Sequence, residues 1–418
     1  MRKILSGIFA AILFCGTTAT FTSCSSDDDI INNDIEKFEP IPTTSVITST
    51  KRDDEKKLTI INFNYPSTDP NGNPVMLSAS IIIGDEVQPN DAANTDNAAE
   101  KVAKGFLIYN HFTVYEASEC PTKGDTKFPE MVAGSGLIAV AADYYGFGNT
   151  EDKPQAYCMP STNARASVDA LLQAKILLAN MGYSWGTALF NIGYSQGAQT
   201  AMGVVKLLTE EYPDIKLNYT VAGGGPYDIS ETYRILLSTE QTEMPSTVIG
   251  TVLAYNHFLN MGISRKQMFK EPLLSNVDEW VLSKKYTREQ IDEKVATQTV
   301  SEFLSDELCD LNTDISKRFI NEFQKENLCT GWSPRSNEKI FLLHQKNDAA
   351  VPIENTKKMV QFLKEKGVNV EFYYNDAIID KSLGAHENGA IPFAIMAVTK
   401  ICSELNISPW IDITKVKF

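Results

Sequence analysis

The pentapeptide Gly193-Tyr194-Ser195-Gln196-Gly197 places a serine between two glycines, a spacing that suits nucleophilic chemistry. An apolar run over 189–192 precedes it, and a helix-like segment rich in small residues follows over 197–210. This order is typical of a nucleophile elbow, in which a strand turns sharply into a helix and holds the serine at the tip. Side chains at the two glycine positions would collide with the neighbouring strand or helix. The motif predicts that Ser195 is a nucleophile if other residues supply a base, an acid and N–H donors for an oxyanion.

Four histidines are available as the base that a serine nucleophile requires. His386 lies in the segment 382–389, a glycine-containing loop between the last predicted strand and the last predicted helix. From there an imidazole can reach across the carboxyl edge of a sheet to the serine, so His386 is the predicted base. The others have structural interpretations. His111 ends an early strand, His257 lies within a helix, and His344 lies inside an apolar strand, where a hydrogen-bonded core histidine is expected.

The acid that orients the histidine should project from the end of the preceding strand. Asp348 comes just past the apolar strand 339–344 and is the predicted acid. Its rivals are Asp376 and Asp380, which follow the last strand, and Glu387, which adjoins the histidine. Each rival is more simply interpreted as a solvated loop charge.

Alternating strand and helix patterns supply the frame for these residues. Two strand-like runs, 58–65 and 75–83, flank the turn residues 69–73 and predict a hairpin. Further elements are then expected in chain order: strands at 105–109, 136–142, 188–192, 219–223, 339–344 and 368–374, and helices at 163–181, 197–210, 353–366 and near 391–405. Such alternation predicts an α/β fold, with a mostly parallel sheet covered by helices on both faces.

A long stretch over 229–335 interrupts the alternation and is helical in character, with predicted helices at 247–259, 288–304 and 314–326. We expect 56–228 and 336–418 to form the core. The stretch 229–335 is expected to form a helical cap over the site, because long insertions in such sheets are usually placed at the ligand-binding edge. A second helical layer without a role in the site is the alternative.

Composition narrows the class of protein. The 418 residues are 43% hydrophobic, which is ordinary for a globular chain that buries a sizeable core. The net charge of −15 leaves no basic stripe to neutralise phosphates, so nucleic acid is not an expected partner. No cysteine spacing predicts a metal site. Cys120 with Cys158 and Cys309 with Cys329 are candidate disulfides, although unpaired structural cysteines are the preferred interpretation.

The N-terminus has the features of a targeting segment. Arg2 and Lys3 precede the apolar run 4–14, which is too short to span a bilayer as a mature helix. Cys24 follows small polar residues and precedes two serines and three aspartates over 25–29. This pattern resembles a bacterial lipoprotein signal, and the acidic run is similar to the surface-export signal of Bacteroidota lipoproteins.

That resemblance implies a signal peptide over 1–23 and a lipid on Cys24 that holds the chain at a membrane. The polar composition of the residues that follow predicts a flexible tether over 24–55. The resemblance also implies an outer-membrane lipoprotein exposed at the bacterial surface. A plain secreted protein with a chance cysteine is the alternative.

The chain order of Ser195, Asp348 and His386, together with the late helical insertion, resembles that of the α/β-hydrolases. Within that group the chain is similar to the secretory lipase family of esterases, over about residues 58–405. The resemblance implies hydrolysis of acyl esters of small molecules, lipids or decorated glycans, through an acyl-enzyme and without a metal or organic cofactor. In this scheme Ser195 attacks, His386 transfers the proton and Asp348 orients His386.

An oxyanion hole needs two backbone N–H donors, and one is expected from Gln196, the residue after the nucleophile. The second should come from the loop that follows the early strand, over 109–113. Relatives often carry His-Gly at this point, and here Phe112 replaces the glycine. Phe112 and Thr113 are therefore both candidates for the second donor.

Two other functions fit parts of the sequence. A serine peptidase shares this fold and set of residues, but the chain lacks the propeller repeats that often accompany one. A non-catalytic surface lipoprotein that binds glycans or a partner would not need the serine, aspartate and histidine in this order.

Overall fold

The structure, a computed structural model, describes residues 43–89, 101–124 and 127–408. The expected signal peptide, Cys24 and the tether residues up to 42 lie outside the described residues. The described residues form a nine-stranded sheet in the order β1-β2-β3-β5-β4-β6-β7-β8-β9. Its strands are β1 (Val46–Asp53), β2 (Leu58–Thr68), β3 (Pro74–Gly84), β4 (Ala103–Asn110), β5 (Leu137–Ala142), β6 (Trp185–Tyr194), β7 (Tyr219–Gly223), β8 (Lys339–Gln345) and β9 (Asn369–Asn375).

The sheet is antiparallel at its first edge and parallel elsewhere. β1, β2, β3 and β5 pair antiparallel, whereas every later pairing, from β4 with β5 to β8 with β9, is parallel. The predicted hairpin is β2 and β3. Its turn is closed by Asp69, whose carboxylate accepts hydrogen bonds from the N–H groups of Asn71 and Asn73 at 2.9 Å each. The expected α/β fold with a mostly parallel sheet is confirmed.

Helices cover both faces of the sheet and form the insertion. They are α1 (Lys127–Ala133), α2 (Pro160–Asn180), α3 (Gln196–Glu211), α4 (Ile229–Thr239), α5 (Pro245–Phe258), α6 (Arg265–Met268), α7 (Leu273–Val277), α8 (Arg288–Val295), α9 (Val300–Phe303), α10 (Asp306–Cys309), α11 (Asp314–Lys325), α12 (Glu354–Glu365) and α13 (Ala385–Leu405). Successive side chains of each strand point to opposite faces of the sheet. In β4, Phe106 packs into the core that contains α2 and α3, while Leu107 packs into the core that contains α13.

The insertion lies between β7 and β8 and contains α4 to α11. The stretch expected as one helix over 288–304 is two helices, α8 and α9. The chain leaves α8 at Ala296, which adopts a left-handed conformation with φ 60°, and a second helix starts only at Val300. The apolar spacing changes at this break, because Val300 follows Val295 by five residues instead of three or four.

Two further expectations need correction. Residues 46–53 belong to the sheet as β1, so the segment expected as a tether up to residue 55 ends before Val46. Almost all of β1 is exposed, so its sequence has no apolar alternation that would predict a strand. The candidate disulfides are also wrong, because Cys120, Cys158, Cys309 and Cys329 are all free thiols.

Candidate active site

Ser195 stands at a sharp turn between β6 and α3. Its backbone has φ 57° and ψ −123°, which an L-residue rarely adopts, and its N–H donates to the carbonyl of Gly223 at 2.8 Å. Little space surrounds the turn. A Cβ on Gly193 would lie 2.1 Å from the carbonyl oxygen of Gly197, and a Cβ on Gly197 would lie 2.1 Å from that of Asn110. The two glycines therefore let the strand, the helix and the loop after β4 approach closely enough to hold the strained serine.

Three predicted residues from three separate segments of the chain meet in a chain of hydrogen bonds. Ser195 Oγ lies 2.7 Å from Nε2 of His386, and Nδ1 of His386 lies 2.6 Å from Oδ2 of Asp348. Asp348 is in turn fixed by the backbone, because its Oδ1 accepts hydrogen bonds from Ala350 at 3.0 Å and Val351 at 2.7 Å. With Nδ1–H donating to Asp348, Nε2 is free to accept the serine proton.

The surroundings of His386 favour its protonated form. Burial is the largest single effect and opposes the charge, but the charge and hydrogen bond of Asp348, together with the charge of Glu243, outweigh it and raise the pKa of His386 above its usual value of 6.5. The residue lies in the first turn of α13, rather than in the loop that the sequence indicated. Tyr194 also holds this turn, because its hydroxyl donates to the backbone carbonyl of His386.

Asp348 rather than its rivals is placed against the histidine. Asp380 accepts hydrogen bonds from the backbone N–H and hydroxyl of Ser382 at the surface. Glu387 points to Arg288 of the insertion, with which it forms an ion pair. Asp376 is exposed.

The remaining histidines occupy structural positions. His344 is fully buried in β8, where Nδ1 accepts from the Thr356 hydroxyl at 2.7 Å and Nε2–H donates to the Val351 carbonyl at 2.9 Å. Burial lowers its pKa, so it is neutral and hydrogen-bonded as expected. His257 lies in α5, within the insertion.

The loop after β4 lies beside the serine and carries the candidate second oxyanion donor. Phe112 and Thr113 line a cavity with Ser195, and the Phe112 side chain is 43% exposed. Burial lowers the pKa of His111 to about 4, so its ring is neutral and carries one N–H. That N–H is at Nδ1, because Nδ1 lies 2.6 Å from the carbonyl oxygen of Phe112 and Nε2 lies farther, 3.3 Å, from that of Asp143. His111 thus fixes the backbone of the loop on which the donor would lie.

Two cavities meet at Ser195, His386 and Met244. The smaller, about 50 Å³, is lined mainly by apolar side chains of the insertion such as Ile229, Leu236 and Val248. The larger, about 340 Å³, has an apolar floor that includes Phe128 and Phe393. Its lining also contains charged residues: Glu119, Lys127, Arg288, Glu289 and Glu387. The insertion therefore contributes walls to both cavities beside the serine.

Sequence reasoning missed Glu243. This residue precedes α5 in the insertion, and its carboxylate accepts hydrogen bonds from the backbone N–H groups of Ala349 and His386. An isolated glutamate in a helical stretch carries no motif, so no sequence signal pointed to it.

Over the ranges 43–89, 101–124 and 127–408, no group of three or more His, Cys, Asp or Glu side chains is arranged to hold a metal ion. Within the same ranges, no helix combines the length and the apolar character needed to cross a membrane.

Comparison with known proteins identifies relatives of this arrangement. A family model described as secretory lipase matches residues 118–408. Among curated proteins, none matches the sequence. The chain is similar in structure to the rice cell wall degrading esterase LipA from Xanthomonas oryzae, with a TM-score of 0.66 and 19% identity, over 87% of this chain and 96% of that chain.

Two other solved structures are similar to the chain. One is a putative hydrolase from Legionella pneumophila, with a TM-score of 0.68 and 19% identity, over 86% of this chain and 90% of that chain. The other is lipase A from Candida antarctica, with a TM-score of 0.62 and 16% identity, over 90% of this chain and 85% of that chain. At these identities the likeness concerns the fold, and it confirms the predicted α/β-hydrolase architecture.

Proposed function

The chain belongs to the secretory lipase family of ester hydrolases, and we propose that it cleaves acyl esters with Ser195 as the nucleophile and an acyl-enzyme as the intermediate. The observation that carries this proposal is the hydrogen-bond chain from Ser195 through His386 to Asp348. The strained backbone at Ser195 supports it, because an elbow of this kind presents the hydroxyl at the carboxyl edge of the sheet.

The reaction follows from the atoms in contact. Ser195 Oγ attacks the ester carbonyl carbon while its proton passes to Nε2 of His386, and Asp348 stabilises the imidazolium. The developing oxyanion is bound by the N–H of Gln196 and by an N–H of Phe112 or Thr113. His386 then protonates the departing alcohol. A water molecule then gives a proton to His386 and attacks the acyl-enzyme carbonyl, and His386 returns this proton to Ser195 Oγ as the acid is released.

The linings and volumes of the two cavities indicate which parts of an ester substrate each could bind. Since the linings of the two cavities share only Ser195, Met244 and His386, an ester bound at the serine could place its acyl and alcohol parts in different cavities. The smaller cavity suits a short apolar group. The larger cavity has room for a bulkier group of the substrate. The polar atoms of that group would contact the charged residues, and its apolar atoms would contact the floor.

Hydrolysis of p-nitrophenyl butyrate by the purified protein, beside Ser195→Ala and Asp348→Asn, tests the proposal. We expect kcat to fall about 10⁴-fold or more in both variants. A fluorophosphonate should label Ser195, which peptide mass analysis can locate. Unchanged turnover in Ser195→Ala, or labelling of another residue, would refute the assignment. Cleavage of aminoacyl p-nitroanilides without ester cleavage would instead identify a peptidase.

We also propose that the protein is a lipoprotein anchored through Cys24 to the bacterial outer membrane and exposed at the surface. The support is the basic start, the short apolar run and the Cys24 segment with its acidic run.

A further inference from the structure

Glu243 belongs to the insertion, yet its carboxylate contacts both the loop that carries the acid and the helix start that carries the base. Its Oε1 accepts a hydrogen bond from the N–H of Ala349 at 3.0 Å and another from the N–H of His386 at 3.1 Å. Ala349 is the residue directly after Asp348. A single oxygen atom therefore connects the backbone beside the acid to the backbone of the base.

The contact with His386 also caps a helix. The N-cap residue of α13 is Gly384, which has no side chain to accept from the N–H groups of the first turn. Glu243 supplies this acceptor from the insertion, and its negative charge lies at the positive end of the helix dipole. The fit is close, because a Cβ on Gly384 would lie 2.1 Å from Oε2 of Glu243. The cap thus fixes the turn from which the imidazole projects.

The segment that presents Glu243 is itself held in place. The N–H of the preceding residue, Thr242, donates to the carbonyl of Gln298 at 2.9 Å. The Thr242 hydroxyl accepts from the N–H of the following residue, Met244, at 3.2 Å. Met244 lines both cavities. The residue that would touch substrate and the residue that holds the base are therefore neighbours in one fixed turn.

Charged and titratable groups face His386 from several elements. Asp348 and Glu243 favour the imidazolium, and Arg288 opposes it. Arg288 is paired with Glu387, Glu289 and Asp292, which reduces its effect. The other neighbours are the buried, neutral His344 and the Tyr194 hydroxyl, which is bonded to the His386 carbonyl. Since proton transfer from the serine creates an imidazolium, a second nearby carboxylate stabilises the transition state.

We propose that Glu243 is a positioning residue for the catalytic pair. It fixes the positions of His386 and Asp348 relative to each other and stabilises the charge that His386 acquires. This inference rests on the proposed function. It means that the insertion, besides lining the cavities, completes the arrangement of the base.

Glu243→Gln and Glu243→Ala separate the two effects. The glutamine keeps an oxygen acceptor and loses the charge, whereas alanine loses both. Glu293→Gln is the matched control, because it removes an exposed carboxylate from α8 of the same insertion. For each protein, kcat and KM for p-nitrophenyl butyrate are measured between pH 5 and 9. Fluorophosphonate titration gives the fraction of competent sites, and thermal unfolding reports on the fold.

For Glu243→Ala we expect kcat per competent site to fall about 10- to 100-fold, since small misplacement of a catalytic group has effects of this size, with KM changed by less than about twofold. For Glu243→Gln we expect a smaller loss of kcat and a shift of the acid limb of kcat/KM to lower pH by about half a unit to one unit. Glu293→Gln should match the wild type.

Two results would overturn the inference: a kcat per competent site in Glu243→Ala within twofold of wild type, even if the protein is less stable, or an unmoved acid limb in Glu243→Gln. A wild-type protein without esterase activity would instead refute the proposed function.

Discussion

Gly197 is a position of the elbow that has no room for a side chain. The Cβ of an alanine there would lie 2.1 Å from the carbonyl oxygen of Asn110 and 2.9 Å from that of His111. We expect Gly197→Ala to lower the free energy of unfolding by about 1–3 kcal/mol. It should also lower kcat, because the displaced loop carries the proposed oxyanion donor. Urea unfolding and ester hydrolysis measure the two effects.

Gly262→Ala is the control for this substitution. Gly262 has φ +68° with no atom within 4 Å of its missing Cβ, so alanine there costs about 1 kcal/mol of backbone strain alone. We expect its kcat to be unchanged. An unchanged kcat in Gly197→Ala as well would show that the close packing of the elbow against the loop does not matter for activity.

His386 sets the expected dependence of activity on pH. Its imidazole must be neutral to accept the serine proton, and Asp348 and Glu243 together outweigh burial and raise its pKa above the usual 6.5. Below that pKa the imidazolium cannot act as a base, so kcat/KM should rise with pH through an ionisation above 6.5 and then level off. In Asp348→Asn the carboxylate charge is lost, and the residual activity should show its acid limb at lower pH. An acid limb that does not move would show that Asp348 does not set the pKa of the base.

At the scale of elements, one lysine joins the insertion to the core. Nζ of Lys284 donates to the backbone carbonyls of Gly146, Glu151 (2.6 Å) and Lys153. Lys284→Met would leave these three carbonyls without this donor. We expect a loss of about 1–3 kcal/mol in the free energy of unfolding and faster hydrogen exchange over 146–153.

The neighbouring Lys285 provides the comparison for this lysine. Its side chain is largely exposed and pairs with Glu279, so Lys285→Met should cost less than about 1 kcal/mol. Equal effects of the two substitutions, or unchanged exchange over 146–153 in Lys284→Met, would show that the contact does not fasten the insertion.

The elements that the sequence predicted are those in which the local pattern of apolar and turn-forming residues matches the burial of the element in the fold. Buried parallel strands such as β4 and β7 read as short apolar runs, and the turn at Asp69 has strong turn chemistry. β1 could not be predicted, because it is exposed and is specified by its pairing with β2. The start of α13 was also missed, because Gly384 has no side chain that could cap the helix and the acceptor for the N–H of His386 is Glu243, far away in the chain.

At the scale of the whole molecule, the parallel part of the sheet explains why the site could be anticipated. The carboxyl ends of β6 and β8 lie on one edge of the sheet, so the residues that follow them, Ser195 and Asp348, converge although 153 positions separate them. What the insertion contributes could not be anticipated in the same way. Its helices, unlike the strands of a sheet, do not pair in a regular pattern that fixes their neighbours. The placement of Glu243 therefore depends on tertiary contacts alone.

The strand order separates β1, the first strand after the proposed anchor in the chain, from the strand that carries the serine. The chain enters the sheet at β1, which lies at one edge, and β6 lies five positions away. With neighbouring strands about 4.8 Å apart, the strand that carries Ser195 is about 24 Å from β1, the strand that follows the anchor in the chain. We expect Cys24→Ala to move the protein from the membrane fraction to the soluble fraction while kcat/KM for p-nitrophenyl butyrate stays within about twofold of wild type.

Fractionation of cells that express each form, followed by assay of both fractions, makes this measurement, and Cys15→Ala serves as the matched control because it leaves the proposed lipidation site intact. Retention of Cys24→Ala in membranes would contradict the lipoprotein assignment. A soluble variant with much lower kcat/KM would instead show that loss of the anchor affects the activity at Ser195. The distance of five strands between β1 and β6 predicts no such effect.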